Sequence, residues 1–231
     1  MPQSSRTIDL LERSPFFQAA GAAAMAEILK PSFTQILPRG AVLFEQGEEP
    51  DFVHVLLSGS IGLQATVPQG GKTIVELFGP GEVLLVPAVM LHLPYLASAV
   101  AMTEVRVVMI PGDVFRDAVA RSHALCRATT LLLARHWRLM VDQVVDLKLR
   151  SAEDRVARFV ARRISEEAGA GEAALPEPRT AIAARLGMTP ETLSRTLGGL
   201  EAKGRLNRTA RGPSVADRQA LLSGAAGADP R

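Results

Sequence analysis

Glu191, Ser194 and Arg195 are spaced so that a helix would bring a carboxylate, a hydroxyl and a guanidinium onto one face within a single turn. These are groups that match base edges. Arg donates two bonds to guanine O6 and N7, Glu accepts from cytosine N4, and Ser bonds bases or phosphate. The bland alternative for such a face is a solvated ion pair on an exposed helix.

The neighbouring residues favour the first reading. Ile182, Ala183 and Leu186 share one face of a preceding helix, and Gly187 follows, where a residue that accepts positive φ ends a helix cheaply. Thr189 is an N-cap residue and Pro190 fits the first helical position. Leu193, Leu197 and Leu200 then recur at helical spacing. The segment therefore predicts two short helices joined at Gly187-Met188. With the leucines inward, the triad projects near the second helix's N-terminus, the part that enters a major groove in helix-turn-helix proteins. Beyond it, residues 203–215 predict a two-stranded wing turning near Arg211-Gly212. Its Lys203, Arg205, Arg208 and Arg211 suit phosphate contacts, alone or as mere solvation of a hairpin, and Thr189 and Thr192 stand at the same end as the triad. Eight Lys/Arg face three Asp/Glu from Arg179 to Arg218, although the whole chain carries only +2.

The run Ile-Ala-x-x-Leu-Gly-Met-Thr-Pro-Glu-Thr-Leu-Ser-Arg resembles the DNA-binding motif of the Crp/Fnr family of bacterial transcription regulators. Glu191, Ser194 and Arg195 stand where its Fnr-like branch carries Glu-x-x-Ser-Arg. The resemblance implies TTGAT-type or TTGAC-type half-sites, double-stranded DNA and RNA polymerase as partners, and no enzymatic activity.

From Phe33 to Val119 short apolar runs are cut by Gly and Pro, which predicts an antiparallel sandwich or jelly roll without helices before residue 114. The order Gly40…Phe44-x-x-Gly47-Glu…Leu57-x-Gly59…Gly79-x-Gly81-Glu resembles the cyclic-nucleotide-binding β-roll of the same family. The expected fold class is thus α+β. Its parts are an effector-sensing β-roll over 1–121, a dimerisation helix over 122–150, a winged helix-turn-helix over 151–222 and a disordered tail over 223–231.

The roll departs from that family pattern. Nucleotide-binding members follow the glycine turn with a Gly-Glu pair and, about ten residues on, an Arg that meets the phosphate, whereas residues 83–100 hold no Arg or Lys. An unpaired buried phosphate would be costly. Cyclic nucleotide is therefore not the expected effector, and Leu84, Leu85, Val86, Met90, His92 and Tyr95 are read as an apolar pocket wall. Haem-based sensors of nitric oxide occur among regulators that look like this one, so His92 is the candidate haem ligand and His54 the next. The opposing reading of either is a hydrogen-bonded or surface histidine. A cupin-like metalloenzyme is the rival from another class, but His54, His92, His123 and His136 are scattered singly.

One Cys in 231 residues excludes a disulfide framework and an Fe–S cluster, which needs about four ligands. The opening residues lack the order of a signal peptide and no apolar run reaches roughly 20 residues, so a soluble cytoplasmic protein with no membrane contact is expected.

Two further stretches complete the chain. Residues 8–11 begin a short helix that Ser14-Pro-Phe-Phe17 ends, and Ala22 to Leu29 forms another. Asp113 reads as the N-cap of a helix from Val114. From about Ser122 to Leu149, Cys126, Thr130, Leu133, Trp137, Met140, Val144 and Leu147 alternate gaps of four and three, the rhythm of a coiled-coil seam, which predicts a homodimer. The alternative is a single helix buried on its own roll. Cys126 packs in that seam or senses redox state. Ser151 offers the N-cap of the next helix, and residues 168–178 read as a mobile loop.

Overall fold

The computed structural model describes residues 5–12, 14–66, 71–84, 86–163, 175–209, 212–214 and 221. Leu85, Arg211, most of the 168–178 loop and the tail beyond 222 lie outside the described residues. The chain divides into two compact units, Met1–Leu139 and Met140–Arg231. No helix among the described residues is long and apolar enough to cross a membrane.

Three helices lead the first unit: α1 (Ser5–Glu12), α2 (Pro15–Ala20) and α3 (Ala22–Leu29). Pro15 opens a helix instead of ending one. At the first position its missing N–H costs nothing, and Phe16 and Phe17 are buried from there. Then come the strands β1 (Phe33–Leu37), β2 (Val42–Phe44), β3 (Phe52–Ser58), β4 (Ile61–Thr66), β5 (Lys72–Phe78), β6 (Val83–Leu84), β7 (Ser98–Ala101) and β8 (Val105–Pro111). They build two antiparallel sheets in the orders β1-β8-β3-β6 and β2-β7-β4-β5, the jelly roll that the punctuation predicted.

Two local expectations are corrected. A helix α4 (Val86–Leu91) interrupts the strands. Its Val-Pro-Ala-Val-Met-Leu run lacks the period-two alternation of a half-buried strand, and Pro87 suits the first turn of a helix. In α5 (Gly112–Arg121) the N-cap position belongs to Pro111. Asp113 sits in the first turn, where its Oδ1 accepts from the Val114 N–H at 2.8 Å and its charge faces the positive helix end.

Strand β3 divides two cores. Val53, Val55 and Leu57 face α2, α3 and α5 in one, which also holds Val108 and Ile110 of β8. Leu56 faces the space between the sheets, with Phe44, Leu84, Tyr95, Val105 and Val107. At the end of β3 the chain turns through Gly59 (φ +84), where a Cβ would lie 2.2 Å from the Glu104 carbonyl oxygen.

A 27-residue helix, α6 (His123–Leu149), begins in the first unit, where Leu125 and Ala128 join the helix-side core and Leu132 and Leu133 pack against it. The second unit contains α7 (Ala152–Arg163), α8 (Arg179–Arg185), α9 (Pro190–Ala202) and the hairpin β9 (Asn207–Thr209) with β10 (Gly212–Ser214). Ser151 and Asp154 cap α7 reciprocally: the Asp154 N–H donates to Ser151 Oγ at 3.2 Å and the Ser151 N–H to Asp154 Oδ2 at 3.3 Å. Val156, Phe159, Val160, Ile182, Leu186, Leu193, Leu200 and Leu206 fill this unit's core. Asp146, buried near the end of α6, pairs with Arg150 and with Arg162 of α7.

Candidate nucleic-acid interface and effector segment

The turn between α8 and α9 forms as its residue types require. Gly187 takes φ +62, Thr189 has extended backbone, and its Oγ1 accepts from the Thr192 N–H at 3.2 Å. Pro190 begins α9, and its buried Leu193 and Leu200 face α7 and α8. Glu191, Ser194 and Arg195 are consequently exposed together on the first two turns. The Glu191 carboxyl is held below its ordinary value, first by its own backbone N–H, then by the Thr189 hydroxyl and by Arg195 one turn on. An ionised acceptor and a guanidinium therefore stand side by side. Thr189 spends its hydroxyl on the cap, and Thr192 Oγ1 lies 3.1 Å from it.

Two residues matter here that the spacing alone did not single out. Arg179, the first residue of α8, donates from Nη1 to Ser194 Oγ at 3.2 Å. Glu153 of α7 receives Lys203 on Oε2 and Arg205 on Oε1, both at 2.7 Å. Both contacts join residues far apart in sequence, which no periodicity can report. The second contact revises an expectation: Arg205 keeps only 13% of its side chain exposed and also donates to the Leu221 carbonyl, so it braces the wing's base instead of facing a phosphate. Lys203 remains 57% exposed despite its pairing. Arg208 contributes its backbone to β9, and its side chain, like Arg211, lies outside the described residues.

In the roll, the residues expected to line one wall are distributed between the two cores. Leu84 and Tyr95 pack between the sheets, while Val86 is buried on the helix side and Met90 packs against that core. The Tyr95 ring stacks on Phe44 with centroids 3.8 Å apart, and its hydroxyl donates to the Phe52 carbonyl at 3.3 Å. Burial first, then Asp51 and Glu48, pushes the Tyr95 phenol up to about 12. Glu82, next to the glycine turn, accepts from the Gly79 N–H at 2.5 Å. Arg116 of α5 approaches this segment from outside it, and its Nη1 donates to the Val89 carbonyl. His92 ends α4 with a left-handed backbone, φ +52, and its side chain is exposed.

His54 is different. It is 2% exposed, its ring centroid lies 5.3 Å from that of Phe44, and its Nδ1 has no hydrogen-bond partner among the described residues. Burial holds its pKa at about 4, well below 6.5, so the native imidazole is neutral. The unfolded chain then binds the extra proton between those values. Stability is complete above pH 6.5 and should fall as the pH drops from 6.5 to about 4. Thermal melts across that range should show a steeper fall for the wild type than for His54→Phe; parallel curves would mean that His54 is not buried neutral.

On α6 the expected seam residues Cys126, Thr130, Trp137, Met140, Val144 and Leu147 are exposed, with Trp137 at 71% and Val144 at 51%. Leu133 is half-buried and packs against the helix-side core of its own unit. His136 of the same helix meets Phe78 of β5 edge-on at 6.3 Å, and burial lowers its pKa.

Comparison with known proteins finds matches to two parts of the chain. Residues 34–122 match the cyclic nucleotide-binding domain and residues 154–223 the Crp-like helix-turn-helix domain. The CRP-like cAMP-activated global transcriptional regulator of Mycobacterium tuberculosis is 25% identical over 217 residues, 92% of this chain and 97% of the relative. An anaerobic regulatory protein of Pasteurella multocida is 27% identical over 190 residues, 80% of this chain and 69% of the relative. Among solved structures, FixK2 from Bradyrhizobium japonicum superposes with a TM-score of 0.76 at 24% identity, covering 86% of this chain and 99% of that one, a likeness of fold. A roll of the nucleotide-binding type followed by a long helix and a Crp-like reading head places the chain in the Crp/Fnr family, whose members are transcription regulators and not enzymes.

Proposed function

We propose that the chain acts as a homodimer on a palindromic site of TTGAT or TTGAC type, reading bases with Glu191, Ser194 and Arg195. The observation that carries this reading is the exposure of all three on the first two turns of α9 while Leu193 and Leu200 anchor its other side. Thr192, Lys203, Arg208 and Arg211 serve as backbone contacts, with Thr189 held in the cap, and RNA polymerase is the downstream partner. Arg195→Ala should cost about 1–3 kcal/mol on the palindrome and little on random DNA, measured by fluorescence anisotropy at fixed salt. Equal losses on both would make Arg195 a phosphate contact.

The effector side of the proposal is a roll that takes no cyclic nucleotide. The candidate haem ligands are His92 and, after it, His54. His92 is exposed at the end of α4, and His54 is enclosed by Phe44 and other core side chains, so neither fits an axial ligand without rearrangement. This packing favours a regulator that works without such a ligand over a haem sensor of nitric oxide. Protein purified with haem supplied should show no Soret band that His92→Ala or His54→Phe alters. A band lost in either variant would restore the haem reading, and saturable cyclic AMP binding by calorimetry would restore the nucleotide one.

A further inference from the structure

The geometry points to Arg179 as a positioning residue that sets the hydrogen-bonding polarity of Ser194, and thereby the kind of base that Ser194 reads. The inference rests on the base-reading role proposed for Ser194.

A serine hydroxyl is ambiguous. It carries one proton and two lone pairs, so on its own it can meet either a donor or an acceptor on a base edge. In this protein Arg179 biases that choice. A guanidinium has only donors, so the 3.2 Å contact from Nη1 must use a lone pair of Ser194 Oγ. Among the described residues Ser194 has no other hydrogen-bond partner, which leaves its proton free and directed away from the arginine. Arg179 in turn has no carboxylate partner among the described residues, so nothing competes for the guanidinium.

The consequence is selective. Ser194 keeps its second lone pair, but an oxygen that already accepts from a cation is a stronger donor and a weaker acceptor, so its proton is what it offers the groove first. The better matching base edges are keto oxygens, thymine O4 or guanine O6, while the amino groups of cytosine and adenine meet the weaker acceptor. Glu191, an obligate acceptor when ionised, and Arg195, an obligate donor, already have fixed polarity. With Arg179 in place Ser194 gains a preferred polarity beside them. The two residues come from different helices, and the turn at Gly187 sets their separation, so the geometry of the turn becomes part of the specificity.

The test is in vitro selection of binding sites from a random duplex pool, with the full-length wild type and the variants Ser194→Ala, Arg179→Ala and Arg179→Lys, followed by anisotropy titration of the selected sites. The wild type should select a palindrome in which one position per half-site prefers a keto base over an amino base by about fivefold, the worth of a single hydrogen bond. Ser194→Ala and Arg179→Ala should flatten that same position and leave the others unchanged. Arg179→Lys, which still donates, should restore it, and the Arg179→Ala, Ser194→Ala double variant should be no flatter there than either single. If Arg179→Ala weakens all sequences equally and leaves the position profile intact, Arg179 is a phosphate contact only and the inference fails while the reading head stands. If the wild type selects no sequence at all, the proposed function fails with it.

Discussion

Val144→Asp should convert the protein to a monomer in sedimentation velocity and reduce affinity for the palindromic site at least a hundredfold. Val144 is half-exposed in the isolated chain, so the substitution leaves the chain's own cores untouched. In a two-fold dimer the residue meets its own symmetry mate or a near neighbour, so one substitution places two carboxylates in one interface. Burying an unpaired charge costs several kcal/mol, which exceeds what a seam of a few exposed apolar side chains can offset. The loss on DNA follows from valency: two linked reading heads gain about 10²–10⁴ over one, and a monomer forfeits it. Met140→Asp should behave alike. Leu133→Asp is a poorer probe, because Leu133 packs against the core of its own unit and its variant would damage that unit. A dimer of unchanged mass for both Val144→Asp and Met140→Asp would show that the contact lies elsewhere.

Gly59→Ala should be the most destabilising single methyl addition in the roll. The new Cβ would meet the Glu104 carbonyl oxygen at 2.2 Å and Thr103 Oγ1 at 2.8 Å, and the first of these is backbone that cannot swing aside. The φ of +84 adds a conformational cost for any L side chain. Together these amount to about 3 kcal/mol or more, a fall in Tm of roughly 6–12 °C for a chain of this size. By contrast, Gly40, Gly47 and Gly81 share the positive φ but have open space where a Cβ would go, so Ala at those positions should cost less. A melting temperature within a degree or two of the wild type would contradict the steric argument.

The glycine pattern illustrates what was legible in the sequence. Gly40, Gly47, Gly59 and Gly81 mark turns because their backbone is forbidden to other residues, so residue type alone reports geometry. The helix-turn-helix was legible for the same reason, since Gly187, Thr189 and Pro190 each have a local stereochemical task. The α4 helix was not, because six apolar residues fit a buried strand or a buried helix equally well and only their neighbours decide. Nor was the fate of Arg205. Whether a cation faces a phosphate or a carboxylate depends on what the fold brings beside it, here a Glu153 some fifty positions earlier. Nor was the side to which each pocket-wall residue turns: Leu84 and Tyr95 join one core, and Val86 and Met90 the other, once the chain bends into α4.

The alternation along β3 has a mechanical meaning. His54 and Leu56 press on the space between the sheets, while Val53, Val55 and Leu57 press on the core that also receives Leu125 and Ala128 of α6. One strand's thickness therefore separates the interior of the roll from the start of the long helix. Because β3 is laddered to β8 on one side and β6 on the other, it cannot yield locally like a loop. Close-packed interiors resist compression, so an altered volume at Leu56 or His54 would be relieved by moving the strand as a rigid lever, and the helix would feel it as a push. In such a response the roll would act less as a container than as a diaphragm with the start of the helix resting on its outer face.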